Sequence, residues 1–193
     1  MRTPTVFRAA QTIHLLALAL WVGAAAMSGI VAAIVFPTMR TLNPTLGAYP
    51  DYTGDHSTLA AGNIAGRVFL LVDTVQFVCA ATALASLIAM LMLGYSLNTL
   101  ARVARSVILC IALGILSYHL FVLMPGMHND LKAYWDAAAI GDNLTADMHK
   151  DAFLALHTTA SRSIGGTTIA ALVAFVLGVW TCEQHSKPTE NNA

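Results

Sequence analysis

Residues 9–36 read AAQTIHLLALALWVGAAAMSGIVAAIVF and contain no Asp, Glu, Lys or Arg. A helix needs about 20 consecutive apolar residues to span the hydrocarbon core of a bilayer, so this run is long enough to cross a membrane. Three further apolar runs follow, at residues 64–93, 103–124 and 164–182. The sequence therefore predicts four transmembrane helices.

The overall composition supports the same fold class. The chain has 193 residues, of which 57% are hydrophobic and 10% are charged, and its mean hydropathy is +0.67. Soluble domains carry about 25% charged residues, so we predict one all-α integral membrane bundle over residues 1–182, with a polar tail over residues 183–193. The formal net charge of +0 argues against nucleic acid as a partner, because phosphate binding needs clustered Lys and Arg.

Turn-forming residues predict where the helices end. Pro37 is expected to end the first helix, because the residue before a proline avoids the α conformation, and a polar loop over residues 38–62 follows. The third helix is expected to end at Pro125. Beyond it, Leu131, Tyr134 and Trp135 recur at helical spacing, which predicts a short amphipathic helix at the membrane interface.

The remaining polar stretch predicts a further helix start. Thr145 is a candidate N-cap, and the helix that it begins either runs on into the fourth span or breaks at Gly165-Gly166. Residues 127–163 as a whole are predicted to form the longer of two polar loops.

The basic residues predict an orientation. Arg2, Arg8, Arg102, Arg105 and Lys187 lie in short segments that flank the spans, and such segments face the cytoplasm in most membrane proteins. Both termini are therefore predicted to be cytoplasmic, with the two long loops on the outer face.

Small residues recur every four positions and predict close helix packing. They form one row on each of three helices: Ala25, Gly29 and Ala33; Gly62 and Gly66; Gly166, Ala170 and Ala174. These rows pack either the four helices of one chain or a partner, which would be a second copy or another membrane subunit. The lipid bilayer is the other predicted partner.

Ionisable side chains inside spans are expensive in lipid and mark functional sites. With their polar neighbours, those of helices two to four form a predicted outer-leaflet group, namely Arg67, Asp73, Gln76, Tyr118, His119, His157 and Arg162. At about 1.5 Å per residue, His119 and Asp73 lie about 9 Å and 13 Å from the outer surface. His14 lies alone on the opposite side.

Two interpretations of this group need no cofactor. In the first, the group is structural, with Arg67 or Arg162 neutralising Asp73, and with His119 bonded to a carbonyl or to Tyr118. In the second, Asp73 is the centre of a path for protons or ions, since carboxylates and imidazoles form proton relays inside membranes.

The third interpretation is a haem-b or redox protein. His119, His157 and His14 are then candidate axial ligands, because a neutral imidazole suits haem iron. Asp73 or Gln76 would orient an imidazole through its second ring nitrogen.

The sequence offers no catalytic motif. It has no nucleophile-and-base pattern, phosphate-binding glycine loop or metal-ligand spacing. Its three cysteines, Cys79, Cys110 and Cys182, show no CxxC spacing and are expected to be small apolar fillers. The leading prediction is therefore a non-catalytic membrane component or an accessory subunit of a membrane complex, with no catalytic residues and no metal site.

Two segments resemble a known family. The segment from His14 through Trp21 and Gly23 to Val35-Phe36-Pro37, and the later Phe153-Leu-Ala-Leu-His157 with Ser161, are similar to the four-span proteins that carry domain of unknown function 4149 and include transmembrane protein 205. This resemblance implies the four-span fold and no particular chemistry.

A more distant resemblance links the first span to other membrane proteins. His14 followed by Trp21-Val-Gly23 is similar to the copper-resistance D and HemJ-type proteins, and the latter are linked to haem b and protoporphyrinogen oxidation. Only His14, Trp21 and Gly23 carry over, and the rest of that pattern is not evident in this sequence, so the resemblance does not extend to the enzyme activity. From its isolated position, His14 is expected to have a structural role or a polar contact with a lipid or partner.

Overall fold

The computed structural model describes residues 4–183, and over this range the protein is all-helical, with no strand. Its elements follow in order: α1 (Pro4–Leu42), α2 (His56–Met92), α3 (Leu100–Tyr118), a π-helical segment (His119–Leu123), α4 (Met124–Ala139) and α5 (Asn143–Glu183). From α3 to α4 the chain is one continuous helical stretch, so four helices are long and apolar enough to cross a membrane. The predicted four-helix membrane fold is confirmed.

The four helices are longer than the apolar runs that predicted them. They contain 38, 37, 40 and 39 residues, which corresponds to about 55–60 Å at about 1.5 Å per residue. The hydrocarbon core of a bilayer is only about 30 Å thick. Each helix therefore includes a polar part that the membrane core does not explain.

α1 runs through Pro37, so the predicted end of the first helix there is wrong. A proline removes one backbone donor from a helix, and here it leaves the carbonyl of Ala33, four residues earlier, without its usual partner. The Thr38 hydroxyl donates to the next carbonyl, that of Ile34, at 2.7 Å. The helix stops before Asn43, whose φ of 45° is the left-handed conformation typical of the residue after a helix.

Two aspartates cap the starts of α2 and α5. The Asp55 carboxylate accepts hydrogen bonds from the Thr58 hydroxyl and from the amides of Ser57 and Thr58, and these bonds hold the pKa of Asp55 below its usual value. Asp142 accepts from the Thr145 amide at 3.1 Å, and Thr145 likewise lowers the pKa of Asp142. Both arrangements are N-caps, which satisfy amides that have no partner inside the helix.

Because of these caps, α2 and α5 begin earlier than predicted, inside the segments that were expected to be loops. Residues 43–55 connect α1 to α2, and residues 140–142 connect α4 to α5. The polar loops predicted over residues 38–62 and 127–163 are therefore wrong in extent. Thr145 is an amide donor to the cap and not the cap itself, and the helix that contains it runs unbroken into the fourth span.

The third helix does not end at Pro125, contrary to the prediction. It passes through the π-helical segment into α4, so residues 131–136 belong to a continuous helix and not to a separate interfacial one. Pro125 lies in the first turn of α4, where its missing N–H costs least. The π turn closes between the Met124 amide and the His119 carbonyl. The helix thus changes its hydrogen-bonding pattern instead of stopping.

The chain forms two compact units. The terminal unit consists of Met1–Ala24, Val75–Ile115 and Gly166–Ala193, and the loop unit consists of Ala25–Thr74 and Leu116–Gly165. Each unit takes one part of each long helix. The terminal unit contains the connection between α2 and α3, and the loop unit contains the other two connections.

Each unit has its own buried core. Large side chains are fully buried in the terminal unit: Leu18, Trp21, Met90 and Leu109. In the loop unit, Tyr52, Leu59 and Tyr134 form a cluster with small alanines, and the hydroxyls of Tyr52 and Tyr134 are 2.8 Å apart. This cluster ties the connection between α1 and α2 to α4.

The Asp55 cap predicts a measurable loss of stability. Asp55→Ala is expected to lower the free energy of unfolding by about 1 kcal/mol, seen as a lower thermal midpoint of the purified protein. Because the folded pKa of Asp55 is depressed, its contribution is present above the unfolded pKa of about 3.9 and is lost as the pH falls through the folded pKa.

Asp55→Asn is the matched control, since asparagine also caps helices. It should keep most of the wild-type midpoint but lose the acid-dependent part. An Asp55→Ala protein as stable as the wild type would show that this cap does not stabilise α2.

Candidate functional site

The structure buries two of the three candidate histidines. His14 has 0% and His119 has 2% of its surface exposed. His157 is half-buried and stacks on Phe153, with ring centroids 5.3 Å apart. His14 belongs to the terminal unit, whereas His119 and His157 belong to the loop unit.

Asp73 and His119 form a buried pair in the loop unit. The His119 Nε2 atom lies 3.6 Å from the Asp73 Oδ1 atom, and 2% and 8% of the two side chains are exposed. This distance is longer than a hydrogen bond, and neither ring nitrogen of His119 has a hydrogen-bond partner among the described residues. The contact is therefore one of charge, formed when His119 carries a proton.

The π-helical segment begins at His119, and the sequence explains its position. Pro125 has no N–H to donate to the carbonyl of Phe121, four residues earlier, and its ring crowds that turn. A π turn directly before α4, closed by the Met124 amide on the His119 carbonyl, takes up this defect. Such turns occur mostly as single insertions and often at functional sites.

The other predicted members of the outer group are dispersed. Gln76 is fully buried and accepts a hydrogen bond from the Trp21 indole at 3.3 Å, inside the terminal unit. Tyr118 is 47% exposed, and Arg67 and Arg162 are exposed. The structure thus brings His119 beside Asp73 and leaves both predicted arginines at the surface.

His119 and His157 do not lie at the same level of the loop unit. α4 and α5 are antiparallel neighbours joined by three residues, and a Cβ atom added at Gly126 would lie 3.2 Å from the Leu156 side chain. From this register, His119 and His157 lie about 9 Å apart along the helix axis at about 1.5 Å per residue. The pair is not arranged as two facing axial ligands.

His14 has a different environment. Its Nδ1 atom lies 2.8 Å from the Ala83 carbonyl oxygen and 3.1 Å from the Ser86 hydroxyl. A proton on Nδ1 satisfies the carbonyl and leaves the lone pair on Nε2, which has no hydrogen-bond partner among the described residues. This is the tautomer that a metal-ligating histidine adopts.

Sequence reasoning missed Arg105 as a buried residue. It was assigned to a cytoplasmic flank, yet it is 0% exposed. Its Nη1 atom lies 3.4 Å from the Tyr95 hydroxyl and 3.5 Å from the Thr181 hydroxyl. The signal was its spacing: Arg105 continues the buried face of α3 that runs through Leu109, Ala112 and Leu116, at intervals of four, three and four residues.

The loop unit also carries acidic and histidine side chains at its surface. Asp130 and His149 form an ion pair at 3.1 Å. Within residues 4–183, no group of three or more His, Cys, Asp or Glu side chains is placed to hold a metal ion. Cys79 is buried and Cys110 is exposed, while the side chain of Cys182 lies outside the described part of the chain.

Comparisons with protein-family models, curated proteins and solved structures found no match. The resemblances to the domain of unknown function 4149 proteins and to the HemJ-type proteins therefore stay predictions.

The Trp21–Gln76 contact predicts a stability loss. Gln76→Leu leaves the buried indole N–H without an acceptor, which should lower the free energy of unfolding by about 1–3 kcal/mol. The measurement is unfolding in a graded series of denaturing detergent, followed by tryptophan fluorescence.

Thr74→Val is the control on the same helix, because Thr74 is exposed and bonds only to the Leu70 carbonyl in the described contacts. It should change stability by less than about 0.5 kcal/mol. If both variants unfold alike, the indole contact contributes nothing.

Proposed function

We propose that this polytopic membrane protein handles protons, and that Asp73 and His119 form a step of the proton path. The observation that carries the proposal is a carboxylate and an imidazole buried side by side on helices that are apolar enough to cross a membrane. Ionisable groups in such helices are rare, and where they occur they commonly relay protons.

The chemistry of the pair suits this role. One proton shared by the two groups gives either a neutral pair, His119 with protonated Asp73, or an ion pair. At 3.6 Å the two atoms would exchange that proton after a small approach. An imidazole has one nitrogen that accepts a proton and one that donates it, so it can pass a proton on.

The energetic argument points the same way. A buried polar atom without a hydrogen bond costs about 1–3 kcal/mol, and both ring nitrogens of His119 are such atoms among the described residues. A residue chosen only for packing would be leucine or phenylalanine. The presence of an imidazole here supports a use for its nitrogen atoms.

The test is proton flux into proteoliposomes. With a potassium diffusion potential and a trapped pH-sensitive dye, the wild type should acidify or alkalinise the lumen faster than protein-free liposomes do. Asp73→Asn and His119→Gln should each reduce the rate to the protein-free level, because either change removes one of the two proton-carrying groups.

Arg67→Gln is the matched control. It removes a charge from the same helix, but from an exposed position, and it should keep the wild-type rate. Folding of each variant is checked by circular dichroism and gel filtration. A wild-type rate equal to that of empty liposomes, or a fully active Asp73→Asn protein, would overturn the proposal.

Haem b is a second candidate because of His14. Its Nδ1 atom bonds to the Ala83 carbonyl, and its Nε2 atom has no partner among the described residues, so it fits a single axial ligand. Haem would supply electron transfer, and His14 would bind and orient it. The purified protein should then show a Soret band that His14→Ala abolishes, and a colourless wild-type preparation would remove this candidate.

The predicted role as an accessory subunit is compatible with both proposals. A proton-handling or haem-binding chain that belongs to a larger complex should co-purify with other chains in mild detergent. Co-purification tests this role independently of either activity.

A further inference from the structure

Arg105 is a fully buried cation in the terminal unit. Its Nη1 atom lies at hydrogen-bond distance from two hydroxyls, those of Tyr95 and Thr181. Its Nε and Nη2 atoms are buried and have no hydrogen-bond partner among the described residues. A guanidinium group has five N–H donors in a fixed fork, so most of this fork is unsatisfied by the protein itself.

Among residues 5–181, the part of the chain whose side chains the structure describes, no carboxylate belongs to the terminal unit. Up to residue 182, its described residues include Arg8, Arg102 and Arg105 but no Asp or Glu, and Glu183 is the last residue of α5. All the aspartates of the chain belong to the loop unit. A buried charge is costly unless a counterion lies beside it, and this favours an anion at Arg105.

The guanidinium group of Arg105 packs closely against the backbone at Gly178. A Cβ atom added at Gly178 would lie 3.4 Å from the Cζ and Nε atoms of Arg105 and 2.7 Å from the Leu15 side chain. Glycine is therefore the residue that fits here. On the other side, the Tyr95 ring contacts two cations, with Arg102 at 5.3 Å and Arg105 at 5.8 Å from its centroid.

We propose that Arg105 is the centre of a binding site for an oxyanion, either a phosphate or a carboxylate group. The Nε and Nη2 atoms form one edge of the guanidinium group, the edge that binds two oxygen atoms of such a group at once. The hydroxyls of Tyr95 and Thr181 hold Nη1 and fix the direction of this edge. Arg102 adds positive charge beside Tyr95.

The oxyanion that binds Arg105 would be either part of a lipid headgroup or a free ion. Arg105 lies five residues after Leu100, the first residue of α3, or about 7.5 Å along the helix at about 1.5 Å per residue. Basic pockets between transmembrane helices bind the headgroups of anionic lipids. A free phosphate or carboxylate would use the same donors.

The experiment separates these sources with the full-length protein in zwitterionic micelles. One arm adds phosphatidylglycerol, and the other adds inorganic phosphate or acetate at constant ionic strength, while the thermal midpoint is recorded. In one of the two arms, the thermal midpoint of the wild type should rise with anion concentration and then reach a plateau. Phosphatidylglycerol alone would identify a lipid headgroup, and phosphate or acetate would identify a soluble anion.

Arg105→Gln should bind the effective anion at least about tenfold more weakly, equivalent to about 1.4 kcal/mol. Arg8→Gln removes a charge from an exposed position in the same unit and should bind as the wild type does. Arg105→Lys keeps the positive charge but lacks the planar group that binds two oxygen atoms at once, so it should also bind the anion weakly. This variant replaces Arg105→Gln in the test if Arg105→Gln does not fold.

Three results would overturn the proposal. The first is a wild type that neither arm stabilises. The second is an Arg105→Gln protein that responds like the wild type. The third is an anion response that appears only in Glu183→Gln, because Glu183 would then be the counterion of Arg105.

Discussion

The cost of placing a charge or an unpaired polar atom in hydrocarbon is the constraint on which this structure depends. Lipid offers no hydrogen bonds, so polar side chains of a membrane-spanning helix face the interior of the protein. The helices accordingly bury the side chains of His14, Asp73, Gln76, Arg105 and His119. Many large apolar side chains are exposed, among them Leu16, Ile34, Leu70, Leu71 and Ile169. The exposed surface of these helices is thus more apolar than that of a soluble bundle.

This constraint acts differently in the two units because their charges differ. The loop unit contains all the aspartates of the chain, and in it the buried His119 lies beside Asp73. Up to residue 182, the described part of the terminal unit contains arginines but no Asp or Glu, and its buried Arg105 lies within hydrogen-bond distance of two hydroxyls. Hydroxyls satisfy donors but do not neutralise charge. One unit therefore contains a pair that can share a proton, and the other contains a cation with capacity for an anion.

The sequence predicted the helices well and their ends poorly, for a physical reason. Apolar runs mark the part of a helix that lipid requires, but α2 and α5 extend beyond those runs to caps supplied by Asp55 and Asp142. A cap is a local hydrogen bond that hydropathy does not reveal. Asp73 and His119 were predicted as members of one group, and the structure brings them together. Arg105 was missed because a charge near a span end suggests a surface flank, although its spacing placed it on the buried face of α3.

The π-helical segment links a defect in the helix to the candidate site. A proline inside a transmembrane helix must either end the helix or be accommodated in it. Here the backbone hydrogen bonds change from the i to i−4 pattern to an i to i−5 bond, which joins the Met124 amide to the His119 carbonyl. The helix is then locally less regular at the residue whose side chain faces Asp73. Proton transfer across 3.6 Å requires a small movement of one partner. Single π turns of this kind are frequent at functional sites, and here the turn begins at the residue that lies beside Asp73.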